Sequence, residues 1–219
     1  MERWATFDCY GTLVDWNGGI GGELARLFGE SRRGELLRAY HALEPVIQRD
    51  GSLPYREVLA QTLAAVAEEA GLDLPAGERD ALGRSLPDWP VFPEVPPALV
   101  EARRRGWRLA VLSNSDRELI DASLASIGVP FDLAVVAGEI GSYKPAHGHW
   151  SVFREQSGAD PGRHVHVGAS RFHDVAPARE LGLPVIWINR LGETGGPAPT
   201  RELADLAGLP DALDELVST

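Results

Sequence analysis

The chain has 219 residues, 44% of them hydrophobic and 24% charged, a balance that lets one α/β domain with a smaller insertion bury a core unaided by disulfides or metals. Its 21 Lys and Arg face 32 Asp and Glu, and the formal net charge of −11 argues against a nucleic-acid surface or an anionic membrane partner. A small anionic substrate stays compatible, because a few basic residues in a cleft invert the local field.

The single cysteine, Cys9, excludes an intramolecular disulfide and suits a reducing compartment. The opening Met1-Glu-Arg-Trp lacks the apolar run of a signal peptide, and no stretch approaches the ~20 apolar residues of a membrane span. The expected location is therefore the cytoplasm.

In chain order, Trp4 to Cys9 reads as a buried strand that Gly11-Thr12 turns sharply into a loop. From Gly18 to about Pro90 the pattern is helical. Leu24, Leu27 and Phe28 share one face, as do Leu36, Leu37, Tyr40 and Leu43, and Val58, Leu59, Leu63 and Val66 repeat at helical spacing over 55–70. A further helix is expected over 76–86, and the prolines at 87, 90, 93, 96 and 97 read as a hinge back into a different domain. Strands are then expected at 108–112, 133–136, 164–167 and 185–188, alternating with helices at 116–127, 147–157 and 172–181. That alternation predicts an α/β fold, a Rossmann-like parallel sheet with right-handed crossovers and a helical cap inserted after the first strand. The division is 1–15 and 92–219 for the core and 16–91 for the cap.

Ligands in such sheets sit at the carboxyl ends of the strands. Asp8, Ser113, Lys144 and Asp174 all fall there or in the loops that follow. Asp8, before a glycine turn, suits a carboxylate nucleophile that forms a covalent ester. Ser113 and Asn114 offer a hydroxyl and an amide to substrate oxygens, although Asn114, Ser115 and Asp116 equally suit helix capping. Lys144 would keep Asp8 ionised, and Asp174 would orient Lys144, position a water or share a divalent cation with Asp8.

Taken together and in this order, Asp8-x-Tyr10-Gly11-Thr12-Leu13, Leu112-Ser113-Asn114, Lys144-Pro145 and the Gly168–Asp174 segment resemble the four signature motifs of the haloacid dehalogenase superfamily. The closing Val185-Ile-Trp-Ile-Asn-Arg190 is similar to the type II L-2-haloacid dehalogenase branch. The resemblance implies a hydrolase of short 2-haloacids that needs no cofactor, acts on a small molecule and is compatible with a homodimer. It gives catalytic roles to Asp8, Lys144 and Asp174, and substrate contacts to Tyr10, Trp16, Thr12, Ser113 and Asn114, the last three holding the substrate carboxylate or the nucleophile. A cap arginine would receive the halide, with Arg38 the first candidate by position and Arg49 the second.

Phosphatases of this superfamily usually carry an acid two residues after the nucleophile, where this chain has Tyr10, and an acidic pair in the fourth motif, where it has Ala169 and keeps only Asp174. Both departures favour carbon–halogen chemistry, because a halide leaves without a proton. The alternative is a Mg²⁺-dependent phosphatase-like hydrolase with the metal on Asp8, the Tyr10 carbonyl and Asp174; a binding protein that retains the pocket without turnover is a third reading. The chain also departs from the dehalogenase pattern, with Ala169 and Arg171 in place of Ser and Asn and Trp150 in place of Tyr. His173 is a candidate for activating water.

Overall fold

The run Arg3–Phe7 forms strand β1, with all five residues buried, as expected of a strand covered on both faces. Its side chains alternate: Ala5 and Phe7 enter one hydrophobic cluster, and Trp4 enters another on the opposite face. The computed structural model describes residues 2–49, 51 and 53–218. Among these, β1 is joined by β2 (Trp107–Ser113), β3 (Leu133–Val136), β4 (His164–Gly168), β5 (Val185–Ile188) and β6 (Arg201–Leu203). They form one parallel sheet in the order β3-β2-β1-β4-β5-β6. The order reverses between β1 and β4, where Rossmann-like sheets open a crevice for ligands.

Five helices lie between β1 and β2: α1 (Trp16–Phe28), α2 (Arg33–Ile47), α3 (Tyr55–Glu69), α4 (Ala81–Ser85) and α5 (Val95–Arg104). After β2 comes α6 (Arg117–Ile127); α7 (Ala137–Ile140) and α8 (Gly148–Ser157) precede β4. A π-turn over Arg171–Val175 leads into α9 (Ala176–Glu180), and α10 (Leu209–Leu216) follows β6. No helix among the described residues is long and apolar enough to cross a membrane. The apolar stripe of the inserted helices, with Leu24, Leu36, Tyr40, Leu59 and Leu63, belongs to the same cluster as Ala5, Phe7 and Val111 of the sheet. One continuous core therefore holds the insert against β1 and β2.

Three local outcomes differ from the sequence reading. The proline-rich stretch is not only a hinge: Pro96 and Pro97 occupy the first turn of α5, where the missing N–H costs nothing. The helix expected over 76–86 shrinks to α4 followed by a 3₁₀ turn at Leu86–Asp88. Two elements the sequence reading did not assign, β6 and α10, complete the sheet edge and one face, although Leu209, Ala212, Leu213 and Leu216 of α10 recur at helical spacing. α10 is tied down by Asp214, which accepts hydrogen bonds from Arg3 (2.6 Å) and from the Trp107 indole (2.9 Å).

Asp116 stands at the N-cap of α6 without capping that helix by its side chain. Its carboxylate instead accepts from the Tyr55 N–H (3.1 Å) and the Arg56 N–H (2.9 Å), the first two free donors of α3. Pro54 precedes α3 and offers no side-chain cap, so the loop after β2 supplies it from across the fold. Asp116→Ala is expected to destabilise the protein by about 1–2 kcal/mol, lowering the urea midpoint with no change in slope. A loss below ~0.3 kcal/mol would remove this contact from the set that holds the insert to the core.

Candidate active site

β1 ends at Phe7, and the Asp8 N–H still donates to the Val167 carbonyl (2.9 Å), so the carboxylate emerges between β1 and β4. Gly11, with φ of 87°, allows the turn in which the N–H groups of Thr12, Leu13 and Val14 fold back onto the Cys9 carbonyl. The turn carries Thr12 Oγ1 to Asp8 Oδ2, to which it donates at 2.8 Å. The same Oγ1 accepts from the Ala169 N–H (2.9 Å), linking the loops after β1 and β4.

The other Asp8 oxygen accepts from Lys144 Nζ at 2.9 Å, and Nζ also donates to Asp174 Oδ1 at 2.7 Å. Side-chain exposure is 15% for Asp8, 1% for Lys144 and 0% for Asp174, so Asp8 alone of the three presents atoms outward. Burial would lower the Lys144 pKa, but the two carboxylates outweigh it and keep the ammonium charged beyond the ordinary lysine range. Burial likewise opposes ionisation of Asp174, yet Lys144 and His166 prevail and hold it below the usual carboxylate range. For Asp8, desolvation dominates and raises the pKa, with Lys144 pulling it back.

Asn114 Oδ1 accepts from the Lys144 N–H (2.6 Å) and its Nδ2 donates to the Lys144 carbonyl (2.9 Å). The amide thus clamps the lysine backbone, and its capping potential is spent there. Gly168 leaves room for Asp174, because a Cβ at Gly168 would lie 2.4 Å from the Asp174 carboxyl carbon. Asp174 Oδ2 accepts from the Ser170 N–H (3.1 Å), and His166 Nε2 donates to Oδ1 (3.3 Å). Behind it, His166 Nδ1 pairs with Thr6 Oγ1 (2.9 Å), which pairs with His164 Nε2 (2.8 Å). Trp150 packs edge-on against His166 at 5.0 Å.

These groups open into a cavity of about 760 Å³ between the sheet and the inserted helices. Of the sequence candidates, Asp8, Tyr10, Trp16, Ser113, Asn114, Lys144 and Asp174 line it, as does His173. Tyr10 stacks on Tyr55 with centroids 5.9 Å apart, and Trp16 Nε1 donates to the Tyr55 hydroxyl (3.1 Å). His173 pairs through Nδ1 with Ser170 Oγ (3.1 Å), and burial lowers its pKa, so it is neutral at pH 7.

Three expectations need correction. Thr12 is fully buried and is not part of the cavity wall, so it holds Asp8 rather than substrate. Arg38 and Arg49 are exposed and do not line the cavity; the Arg38 guanidinium lies back along its own helix toward Gly34. The wall from α2 is instead His41, Glu44, Pro45 and, at its end, Gln48. The Mg²⁺ set of Asp8, Tyr10 and Asp174 does not fit an octahedral oxygen shell as placed. Lys144 sits between the two carboxylates, and both oxygens of the unexposed Asp174 already accept from the protein.

Sequence reasoning missed His166 and Glu44. The first alternates within a strand like any core residue. The second belongs to the 41-44-45-48 helical spacing, which fixes a face but not what that face meets.

Comparison with known proteins places the chain in a family. A family model described as haloacid dehalogenase-like hydrolase matches residues 3–182. The (S)-2-haloacid dehalogenase of Pseudomonas sp. (strain YL) is 30% identical over 208 residues, 91% of this chain and 89% of that protein. The phosphoserine phosphatase of Thermus thermophilus is 32% identical over 142 residues, 63% of this chain and 55% of that one. The crystal structure of an L-2-haloacid dehalogenase superposes with a TM-score of 0.88 at 22% identity, covering 97% of this chain and 99% of that one.

Glu44 faces the cavity with 8% exposure, and among the described residues no basic side chain pairs with it. Burial raises its pKa to about 7 from 4.5. A carboxyl that ionises later in the folded than in the unfolded state lowers stability as pH rises from 4.5 through 7. Glu44→Gln should therefore match the parent at pH 4 and exceed it by on the order of 2–3 kcal/mol at pH 8, by denaturant titration. A gap that does not widen with pH would rule out a buried, unpaired Glu44.

Proposed function

The chain belongs to the haloacid dehalogenase-like hydrolase family, and from that premise we propose that it cleaves the carbon–halogen bond of 2-haloacids through an ester on Asp8. The observation that carries this reading is the asymmetry of the buried cluster. Lys144 bridges Asp8 and Asp174, but only Asp8 turns an accessible carboxylate to the cavity.

In the first step an Asp8 oxygen attacks C2, the carbon–halogen bond breaks, and the halide departs with the electron pair. Thr12 and Lys144 orient the nucleophile and hold its charge in place before attack. The position two residues on is Tyr10, whose phenol pKa is pushed up by burial, so it shuttles no proton near neutrality. A halide needs none. On the insert side, the side-chain amide N–H groups of Asn17 and Gln48 would meet the departing ion in place of an arginine, the His41 Nε2 being paired with Asn17 Oδ1 at 2.8 Å.

In the second step water attacks the ester carbonyl, releases a 2-hydroxyacid and regenerates Asp8 with one solvent oxygen. Neutral His173, beside Asp174 on the cavity wall, is placed to accept the proton of that water. Closure of the insert over the core would exclude bulk water during the displacement. The phosphatase reading is less favoured, because Tyr10 replaces the proton donor and the Asp174 oxygens are committed inside the protein.

The test is halide release from L-2-chloropropionate, chloroacetate and fluoroacetate in EDTA, with the parent and Asp8→Asn. Release that persists in EDTA and falls by ~10⁴-fold in the variant is expected. A single turnover in ¹⁸O-water should leave the first label on Asp8. Absence of release from all three acids, or a label that enters the product directly on the first turnover, would overturn the mechanism.

A further inference from the structure

The reacting end of a 2-haloacid meets the Asp8–Lys144 cluster, but any further anionic group of a substrate must find a cation whose charge is not already matched. The acidic wall groups Asp8, Asp15, Glu44, Asp174 and Glu193 outnumber the basic ones, which are Lys144, Arg171 and Arg190. Lys144 is shared by two carboxylates. Arg190 pairs with Glu94 at 2.7 Å, donates to the Thr12 carbonyl at 2.8 Å and lies over the Phe92 ring at 3.5 Å. Partial desolvation lowers the His41 pKa and burial lowers that of His173, so neither adds a cation at neutral pH.

Arg171 is different. Among the described residues it has no carboxylate partner. Its guanidinium lies on the Trp187 indole, 3.7 Å from the ring centroid, and Nη1 makes one long hydrogen bond, 3.4 Å, to the Pro197 carbonyl. Its buried Nε has no acceptor. Trp187 is itself fixed, donating from Nε1 to the Ala169 carbonyl at 2.8 Å. The arginine is thus held on a rigid aromatic platform with donors unused, the arrangement that favours bidentate carboxylate recognition.

That platform stands on the side of the loop after β5, where Gly196 and Pro197 touch Arg171, whereas Asp8 is gripped by Lys144 and Thr12. The cavity, about 760 Å³, falls in the ~300–1,000 Å³ range of sites for drug-sized ligands and is larger than a three-carbon acid fills. We propose that Arg171 forms an anion subsite for a second carboxylate, separate from the one next to the reacting carbon, so that the preferred substrates are 2-halodicarboxylic acids. The proposal rests on the dehalogenase reading for the reaction. The second carboxylate takes no part in bond making or breaking, and the product is the corresponding 2-hydroxydicarboxylate.

The test pairs binding with turnover. By calorimetry, L-2-hydroxyglutarate or L-malate should bind the parent at least 10-fold more tightly than L-lactate. Arg171→Gln should erase that preference while changing lactate affinity less than about twofold, and Arg171→Lys should recover part of it. In halide release, 2-chlorosuccinate should exceed 2-chloropropionate in kcat/KM by a similar factor, mostly through KM, and lose the advantage in Arg171→Gln. Equal affinity for the mono- and diacids in the parent, or an equal loss for both in the variant, would overturn the subsite. Hydroxydiacid binding that depends on Arg171 in a protein releasing no halide would keep the subsite and sink the dehalogenase reading instead.

Discussion

The placement of a single ammonium, Lys144 Nζ, between two carboxylates organises the rest of the site. Burying three charges is costly, and their mutual attraction offsets the cost only when geometry is good and remaining lone pairs are satisfied. The structure meets both conditions. Asn114 fixes the lysine backbone through two hydrogen bonds, Gly168 lets Asp174 approach, and the Ser170 N–H and His166 complete its oxygens. These demands come from the ends of β1, β2 and β4 and from the loop after α7. Only the reversal of strand order at β1 and β4 brings them together. The fold is thus constrained by the charge cluster as much as by its apolar core.

The buried histidines extend that constraint inward. His166 is neutral because burial outweighs the pull of Asp174. With Asp174 ionised, the His166 proton must lie on Nε2, leaving Nδ1 to accept from the Thr6 hydroxyl. Thr6 Oγ1 then accepts from His164, itself neutral with a pKa lowered by burial to about 3. Each donor in the chain has one acceptor, so the polarity of the network is fixed. Trp150 packs edge-on against His166 and offers Asp174 no hydroxyl. The second donor to Asp174 Oδ1 comes from the strand instead.

Much of this is legible in the sequence for identifiable reasons. The strands of the core stand out as short apolar runs bounded by turns, and the four motif positions fall at their ends. What the sequence hides is information that depends on long-range placement. Asp116 reads as an N-cap of the helix that follows it, and it caps a helix 60 residues earlier in the chain. Arg38 sits one turn before His41 on the same helix, so spacing alone suggests a role at the cavity. The cavity ends before its side chain, which lies in solvent. Thr12 and Asn114 look like substrate ligands because their polar atoms suit the task, yet those atoms are consumed in holding Asp8 and Lys144.

The division of charge between the two sides of the cavity follows from the same logic. Every cation on the wall belongs to the sheet side, while the insert contributes Trp16, Asn17, His41, Glu44, Gln48 and Tyr55. At neutral pH its only titrating group there is Glu44, held near half-ionisation by desolvation. A surface of this kind can approach the core without competing with Lys144 for the two carboxylates, because among the described residues no arginine or lysine of the insert lines the cavity. Asp8 therefore keeps one fixed electrostatic partner whether or not the insert moves. Selection between substrates is left to the wall that carries Arg171 and Trp187. Reactivity set by a rigid buried cluster, and recognition set by the loops after β4 and β5, can then vary independently.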